Sequence, residues 1–312
     1  MKLGIVGAGS IVREFLGDVL PVPGTAVTAL FARKKEVCEE LSLTYAIPQA
    51  FSSYEEFLAS KQFDTVYIAL PNHLHFSFAK EALLAGKHVI LEKPFTTTLF
   101  EAEELFSLAE KSGLFLFEAI SNIYHPNFIR WKEALPSIGE IKHAYVDFSR
   151  RSRRYDEFLA GTLHPAFDPA CAGGAQMDLG VYNLHLLLGL LGMPQAYEFS
   201  PTRVCGVDLA SETTLRYPSF TAHSVCAKDE TKEDGIMIAG TKGSLYSPDL
   251  PNDLFHVFIK RDDGESEGYY EPAHRLTYEW HAIPKYIEQK DTAAMARAKA
   301  ATLNVMKIIS KE

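Results

Sequence analysis

Apolar residues in the first third of the chain come in short continuous runs separated by amphipathic stretches. The runs LGIVGAG (3–9), AVTALFA (26–32), DTVYIAL (64–70), HVILEK (88–93) and LFLFEA (114–119) read as buried strands. Between them SIVREFLGDVL, KKEVCEEL and the segments 73–85 and 98–112 carry helical spacing. Apolar strands separated by helices predict a parallel sheet covered on both faces. The pattern changes near residue 121. IKHAYVDFSR (141–150) is a longer, partly alternating strand, and GAQMDLGVYNLHLLLGLLG (174–192) is one helix. After Gly192 the runs AYEFSPTRVCGV, ETTLRY, FTAHSVCAK, GIMIAG, GSLYS and LFHVFIK follow one another as strands, which predicts a mostly antiparallel sheet. Helices over 278–290 and 292–310 close the chain.

Length supports two domains. A single hydrophobic core stops growing at about 250–300 residues, and this chain has 312. The expected division is residues 1–121 and 122–312. The net charge of −9 argues against a nucleic-acid partner. No apolar run is long enough to span a bilayer, and a strand beginning at Leu3 leaves no room for a signal peptide. Cys38, Cys171, Cys205 and Cys226 have neither metal-ligand spacing nor a disulfide framework, so they read as four buried, reduced thiols and no metal site. Together these features predict a cytoplasmic protein.

The first chemical signal is GIVGAGSIV (4–12), where a strand hands over to a helix. Gly7 permits a tight turn, and Gly9 lets the backbone approach a pyrophosphate. The helix start at Ser10 and Ile11 offers N–H groups and a positive dipole end to the phosphates. The third motif position is Val12. A glycine triplet placed inside a strand–helix–strand unit predicts a Rossmann-type dinucleotide site. At the end of the second strand an NAD-specific site usually has Asp or Glu for the ribose 2′-hydroxyl. Here the chain reads Ala32-Arg33-Lys34-Lys35. Cations without a carboxylate suit a 2′-phosphate, each charge-assisted bond contributing roughly 1.5–3 kcal/mol. NADP(H) is therefore the expected cofactor, with NAD(H) as a second, weaker one.

The second signal is Glu92-Lys93-Pro94, at the same edge of the sheet as the glycine turn. Ligands of open α/β sheets bind beyond the carboxyl ends of the strands. Pro94 biases Lys93 away from helical geometry and holds it at that edge, and Glu92 is placed to orient it. The third signal lies in the 174–192 helix, where Asp178, Tyr182 and His185 stand at i, i+4 and i+7 among leucines and Val181. A polar stripe on an apolar helix calls for partners or a function.

These segments resemble the Gfo/Idh/MocA family of oxidoreductases. The resemblance rests on GIVGAGSI (4–11), YIALPNHLH (67–75), GKHVILEKPF (86–95), FEAISNIYHP (117–126) and GGAQMDLGVYNLH (173–185). Tyrosine at 182 resembles the dimeric dihydrodiol dehydrogenase and xylose dehydrogenase branch. Inositol-type members have histidine there, and an acidic residue where this chain has His185. The resemblance implies a Rossmann domain followed by an α/β domain with an open, predominantly antiparallel sheet that pairs into homodimers or homotetramers. It implies that the Leu70-Pro71-Asn72 loop and His75 line the cofactor cleft, and that Lys93 and Tyr182 face the nicotinamide.

On that basis the chain is expected to move a hydride between NADP(H) and a carbinol or carbonyl carbon of a sugar, polyol or related small alcohol. Tyr182 is the expected acid/base. A free tyrosine titrates near 10, and a lysine ammonium about 4 Å away favours the phenolate by up to ~4 kcal/mol at an effective dielectric of 20. Lys93 is the expected source of that charge. Asp178 would orient Lys93 or a substrate hydroxyl, and His185 would contact substrate. Two alternatives are a nicotinamide-dependent glycosidase with no net change in cofactor and a catalytically silent NADP-sensing regulator.

Overall fold

The computed structural model describes residues 1–232 and 235–310. The chain divides into two compact units, one formed by Met1–Ala119 with Leu276–Met306 and the other by Ile120–Arg275 with Lys307–Ile309.

The first unit is built on strands β1 (Lys2–Val6), β2 (Ala26–Phe31), β3 (Gln49–Phe51), β4 (Thr65–Ile68), β5 (His88–Glu92) and β6 (Leu116–Ala119). Their order is β3-β2-β1-β4-β5-β6, and every pairing is parallel. The order reverses at β1, which puts a topological switch point, the usual ligand crevice of such sheets, beyond the ends of β1 and β4. The intervening helices are α1 (Ser10–Glu14), α2 (Lys35–Thr44), α3 (Tyr54–Ala59), α4 (His75–Leu84) and α5 (Leu99–Lys111). Helix α1 runs straight into a π turn at Phe15–Val19, so the predicted helix is present but its last turn is wider. Helix α5 begins with a capping box, in which Thr98 and Glu101 satisfy each other's backbone N–H groups. β3 and α3 lie in a stretch whose sequence shows no long apolar run.

The C-terminal helices differ from expectation in their allegiance. The expected second domain ran to residue 312, yet Leu276–Met306 clusters with the first unit. The reason is packing. Trp280, only 1% exposed, lies with its ring 4.0 Å from that of Phe15 and 4.9 Å from that of Tyr67. Thr302 donates to the buried carboxylate of Glu118 at 2.7 Å, and Lys299 pairs with Glu110. A large aromatic buried against the first sheet's own rings holds the helices that carry it.

The second unit holds α6 (Pro126–Ala134), α7 (Tyr155–Leu159), α8 (Val181–Leu191) and a sheet of eight strands. These are β7 (Ile141–Ser149), β8 (Ala196–Val204), β9 (Val207–Arg216), β10 (Thr221–Ala227), β11 (Ile236–Gly240), β12 (Gly243–Ser247), β13 (His256–Arg261) and β14 (Ser266–Tyr270). The order is β14-β13-β12-β11-β7-β10-β9-β8, open at both ends. Among the described residues of this sheet only β7 and β10 pair in parallel; the other pairs are antiparallel. Helix α8 is bound to that parallel pair by Asn183, whose amide donates to the carbonyls of Val146 and Val225. Tyr246, Met237, Tyr145, His223 and Thr214 form a half-buried row across the strands in consecutive register. The thiols depart from expectation in part. Cys38 and Cys226 are buried, but Cys205 is exposed in the β8–β9 turn and Cys171 is half-buried.

Candidate functional site

The first cluster of candidate residues surrounds the turn after β1. Gly7 has φ +119, and a Cβ there would meet the carbonyl oxygen of Ala69 at 2.2 Å, so only glycine fits. At Gly9 the situation is opposite: an added Cβ would meet nothing within 4 Å. Gly9 is the N-cap of α1 and provides no side-chain cap, so the N–H groups of the first turn, from Ser10 and Ile11 onward, are left to an external acceptor. Val12 is fully buried and fills the third motif position with packing. A cleft of about 260 Å³ opens here, lined among others by Gly7, Gly9, Ala32, Arg33, Lys34, Leu70 and Pro71. These features fit a dinucleotide: glycine backbone and a helix start for the pyrophosphate, and apolar walls for an adenine ring. Val37, Leu74 and Phe78 supply part of those walls. The sequence reading passed over them, although Leu74 and Phe78 stand four apart at the start of a helix.

Arg33 and Lys34 are exposed at the rim, and among the described residues neither has a carboxylate within ion-pair distance. Lys35 is paired with Glu39 at 3.7 Å. Two uncommitted cations beside the buried Ala32 form an anion-binding rim.

His75 is placed otherwise than expected. It is fully buried and lies outside the lining of the cleft. Its ring nitrogens sit 2.9 Å from the Pro94 carbonyl and 2.8 Å from the Leu70 carbonyl. Burial pushes its pKa down, while two carbonyl acceptors favour the doubly protonated ring. Doubly protonated, the ring donates to both carbonyls and ties the loop after β4 to the chain beyond Lys93; neutral, it donates to one of them. It is a brace for the cofactor loop. Asn72 opens the 3₁₀ turn Asn72–Leu74 that leads into α4. Glu92 is buried, accepting from the Tyr67 hydroxyl at 2.6 Å and from the Lys93 backbone N–H at 3.2 Å. Glu92 thereby anchors the backbone from which the half-buried Lys93 extends.

The second cluster is the start of the 174–192 helix. Gly174 has φ +133, and a Cβ there would lie 2.1 Å from Asp208 Oδ1. Asp208 Oδ2 accepts from the Gln176 backbone N–H at 2.8 Å. The Gln176 side chain donates to Thr213 Oγ1 and accepts from Ser211 Oγ, so the helix start is stapled to β9. The segment Gln176–Gly180 is a π turn, after which α8 continues. Single π turns inside helices recur at functional sites. Asp178 lies on this turn with its side chain 36% exposed, and it forms an ion pair with Lys228 at 3.0 Å. Tyr182 is buried, its ring 5.7 Å from Phe148 and its carbonyl accepting from Asn122 Nδ2 at 2.9 Å. His185 is 2% exposed. The predicted polar stripe therefore runs from the surface inwards. Lys228, Asp208 and Asn122 were missed by sequence reading. For Lys228 the signal was a lysine closing an otherwise buried strand; for Asn122 it was position inside SNIYHP.

Among the described residues no group of three or more His, Cys, Asp or Glu side chains could hold a metal ion. Among the same residues no helix is long and apolar enough to cross a membrane.

Comparison with known proteins follows the two units. The family model described as an oxidoreductase family with an NAD-binding Rossmann fold matches residues 1–120. The GFO/IDH/MocA C-terminal domain matches residues 135–246. The chain is 33% identical to the scyllo-inositol 2-dehydrogenase (NADP(+)) IolU of Bacillus subtilis, over 86% of this chain and 81% of that one. It is 30% identical to the mouse (Mus musculus) trans-1,2-dihydrobenzene-1,2-diol dehydrogenase, over 78% and 73%. In fold it is similar to KijD10, a 3-ketoreductase from Actinomadura kijaniata solved with NADP and TDP-benzene. That match has a TM-score of 0.83, 24% identity, and covers 99% of this chain and 95% of that one. The glycine turn and its cleft thus belong to an NAD(P)-binding Rossmann domain, and the chain is a member of the Gfo/Idh/MocA family of oxidoreductases.

Proposed function

We propose that this oxidoreductase transfers a hydride between NADP(H) and a carbinol or carbonyl carbon of a sugar, polyol or related small alcohol. The observation that carries the cofactor choice is the pair of uncommitted cations, Arg33 and Lys34, at the rim of the cleft. The NADP(+) in the name of the Bacillus relative supports it. Scyllo-inositol and the dihydrobenzenediol of the relatives' names are both cyclic vicinal diols, which supports secondary alcohols as the substrate class.

When bound, the nicotinamide supplies or takes up the hydride. The protein's own task is the proton. In oxidation the substrate O–H proton passes to the Tyr182 phenolate oxygen as the C–H hydride departs; in reduction the phenol returns a proton to the developing alkoxide. Lys93 acts on that oxygen as a cation, favouring the phenolate and donating to the substrate oxygen. Asp178 accepts from a neighbouring substrate hydroxyl, and His185 supports the substrate side. Retention of both Lys93 and Tyr182 sets this reading above a silent cofactor sensor. We also propose that the open sheet of the second unit pairs copies into a homodimer or homotetramer. Light scattering should give at least twice the 34.8 kDa of one chain, and a monomer at micromolar concentration contradicts that assembly.

The test of the reaction is a panel of polyols, aldoses, cyclic diols and diketones, offered with NADP⁺ and NADPH and followed by nicotinamide absorbance. Net change in cofactor is the expected result. A glycoside offered beside the panel and cleaved with no net change in cofactor would instead identify a nicotinamide-dependent glycosidase. Cofactor binding without turnover across the panel would identify a sensor.

A further inference from the structure

Lys228 follows β10 and is 2% exposed. A lysine is almost never buried to this degree unless it is paired. Its ammonium meets Asp178 Oδ2 at 3.0 Å, donates to the Ala166 carbonyl at 2.7 Å, and stands 4.4 Å from the ring centroid of Phe167. Its backbone is equally committed. The N–H donates to the Leu209 carbonyl at 2.7 Å, and the carbonyl accepts from Ser152 N–H at 2.8 Å. Phe167 itself is fully buried in a cluster with Phe158, Val207 and Leu209.

This pair is asymmetric. The lysine side chain is 3% exposed and the aspartate side chain 36%. A buried ion pair is weak evidence of stability, because an apolar residue of similar volume often packs as well or better. The floor of Phe167, Leu209 and Val207 would accept methionine or leucine at position 228. An ammonium does there what an apolar side chain cannot: it donates to the carboxylate of Asp178 and fixes the direction of one oxygen. The same ammonium holds the carbonyl of the turn Pro165–Phe167, so the turn and the helix start share one tether.

We infer that Lys228 is a positioning residue, which sets Asp178 for the substrate and couples it to the 165–167 turn. The inference rests on the reading that Asp178 meets the substrate. An ion-paired carboxylate accepts from a donor, and a substrate hydroxyl is the donor this reading assigns to Asp178. A substrate with a hydroxyl beside the reacting carbon satisfies this.

The test uses the full-length protein and the best substrate of the panel, with Lys228→Met, Asp178→Asn and the double variant. Lys228→Met should lower substrate kcat/KM by up to about a hundred-fold, the scale of a misplaced site group, while NADPH affinity by fluorescence stays parental. The double variant should be no worse than Asp178→Asn, since residues acting as one unit are not additive. Parental kcat/KM in Lys228→Met, or losses that multiply, overturns the inference and leaves the role of Asp178 standing. Parental kcat/KM in Asp178→Asn removes that role and the inference with it. A substrate-free measurement keeps the claim exposed if Lys228→Met does not fold. In Asp178→Ala, hydrogen exchange across 165–174 should speed up, because Lys228 loses the carboxylate that helps hold its ammonium beside the Ala166 carbonyl; unchanged exchange there overturns the coupling.

Discussion

Two glycine turns carry the two candidate regions, and they use glycine for opposite ends. At the first turn Gly7 packs against the Ala69 carbonyl, but the space at Gly9, before the helix start, stays open, and a Cβ there would meet nothing within 4 Å. At Gly173–Gly174 the space is filled by the protein itself. A Cβ on Gly173 would meet the Pro165 carbonyl at 2.5 Å, and one on Gly174 the Asp208 carboxylate at 2.1 Å. The first turn prepares a surface for a ligand. The second seats a helix so that Asp178, Tyr182 and His185 are held by their own surroundings. The proposed division of binding and chemistry thus falls on regions of different physical character: exposed cations and bare backbone in one, a helix that runs from a part-exposed carboxylate to buried Tyr182 and His185 in the other.

The difference should be visible in what substitutions damage. The largest effect belongs to the chemistry. Lys93→Met should lower turnover by about a hundred-fold or more, within the usual share of general acid–base catalysis. Combined with Tyr182→Phe, the total loss should fall well short of the product of the single losses. Steady-state kinetics on the panel substrate measures both, and independent, multiplying losses would separate the two residues.

Next come the glycines. Gly174→Ala forces a side chain into a strained backbone against a carboxylate and should cost about 2–4 kcal/mol of stability. Gly9→Ala should leave stability within about 0.5 kcal/mol and weaken NADPH binding. Urea midpoints and cofactor titrations on the same two proteins show whether the contrast holds. Equal destabilisation would erase it. The smallest expected effect is at the rim. Arg33→Asp should weaken NADPH by about ten- to a hundred-fold, the worth of one or two charge-assisted bonds, and spare or improve NADH. Parental protein that binds NADPH and NADH equally would contradict the proposed preference.

The parallel sheet and the glycine turn were legible because buried parallel strands are apolar throughout, and a phosphate-binding turn needs glycine at set positions. The second sheet was legible as a run of consecutive strands. Other features leave no such trace. β3 has three residues and no apolar run. The π turns at Phe15–Val19 and Gln176–Gly180 have the same apolar spacing as ordinary helix. An amphipathic helix shows which face is buried but not against what, so the docking of Trp280 on Phe15 and Tyr67 could not be read. His75 shows why a polar residue beside a binding loop is ambiguous. The same position suits a ligand contact or a brace between two carbonyls, and only the three-dimensional partners distinguish them. Lys228 is the converse, a charge at a strand end that reads as surface and is buried.

The central claim is that the buried tyrosine of the second region moves a proton while the first region binds the cofactor, and one variant tests both halves. Tyr182→Phe keeps the ring against Phe148 and removes only the hydroxyl. Single-turnover stopped-flow mixing with the panel substrate should show hydride transfer slowed by about a hundred- to ten-thousand-fold, with NADPH affinity and thermal midpoint close to parental. Hydride transfer at the parental rate in Tyr182→Phe would contradict the account and move the proton to another group, His185 first.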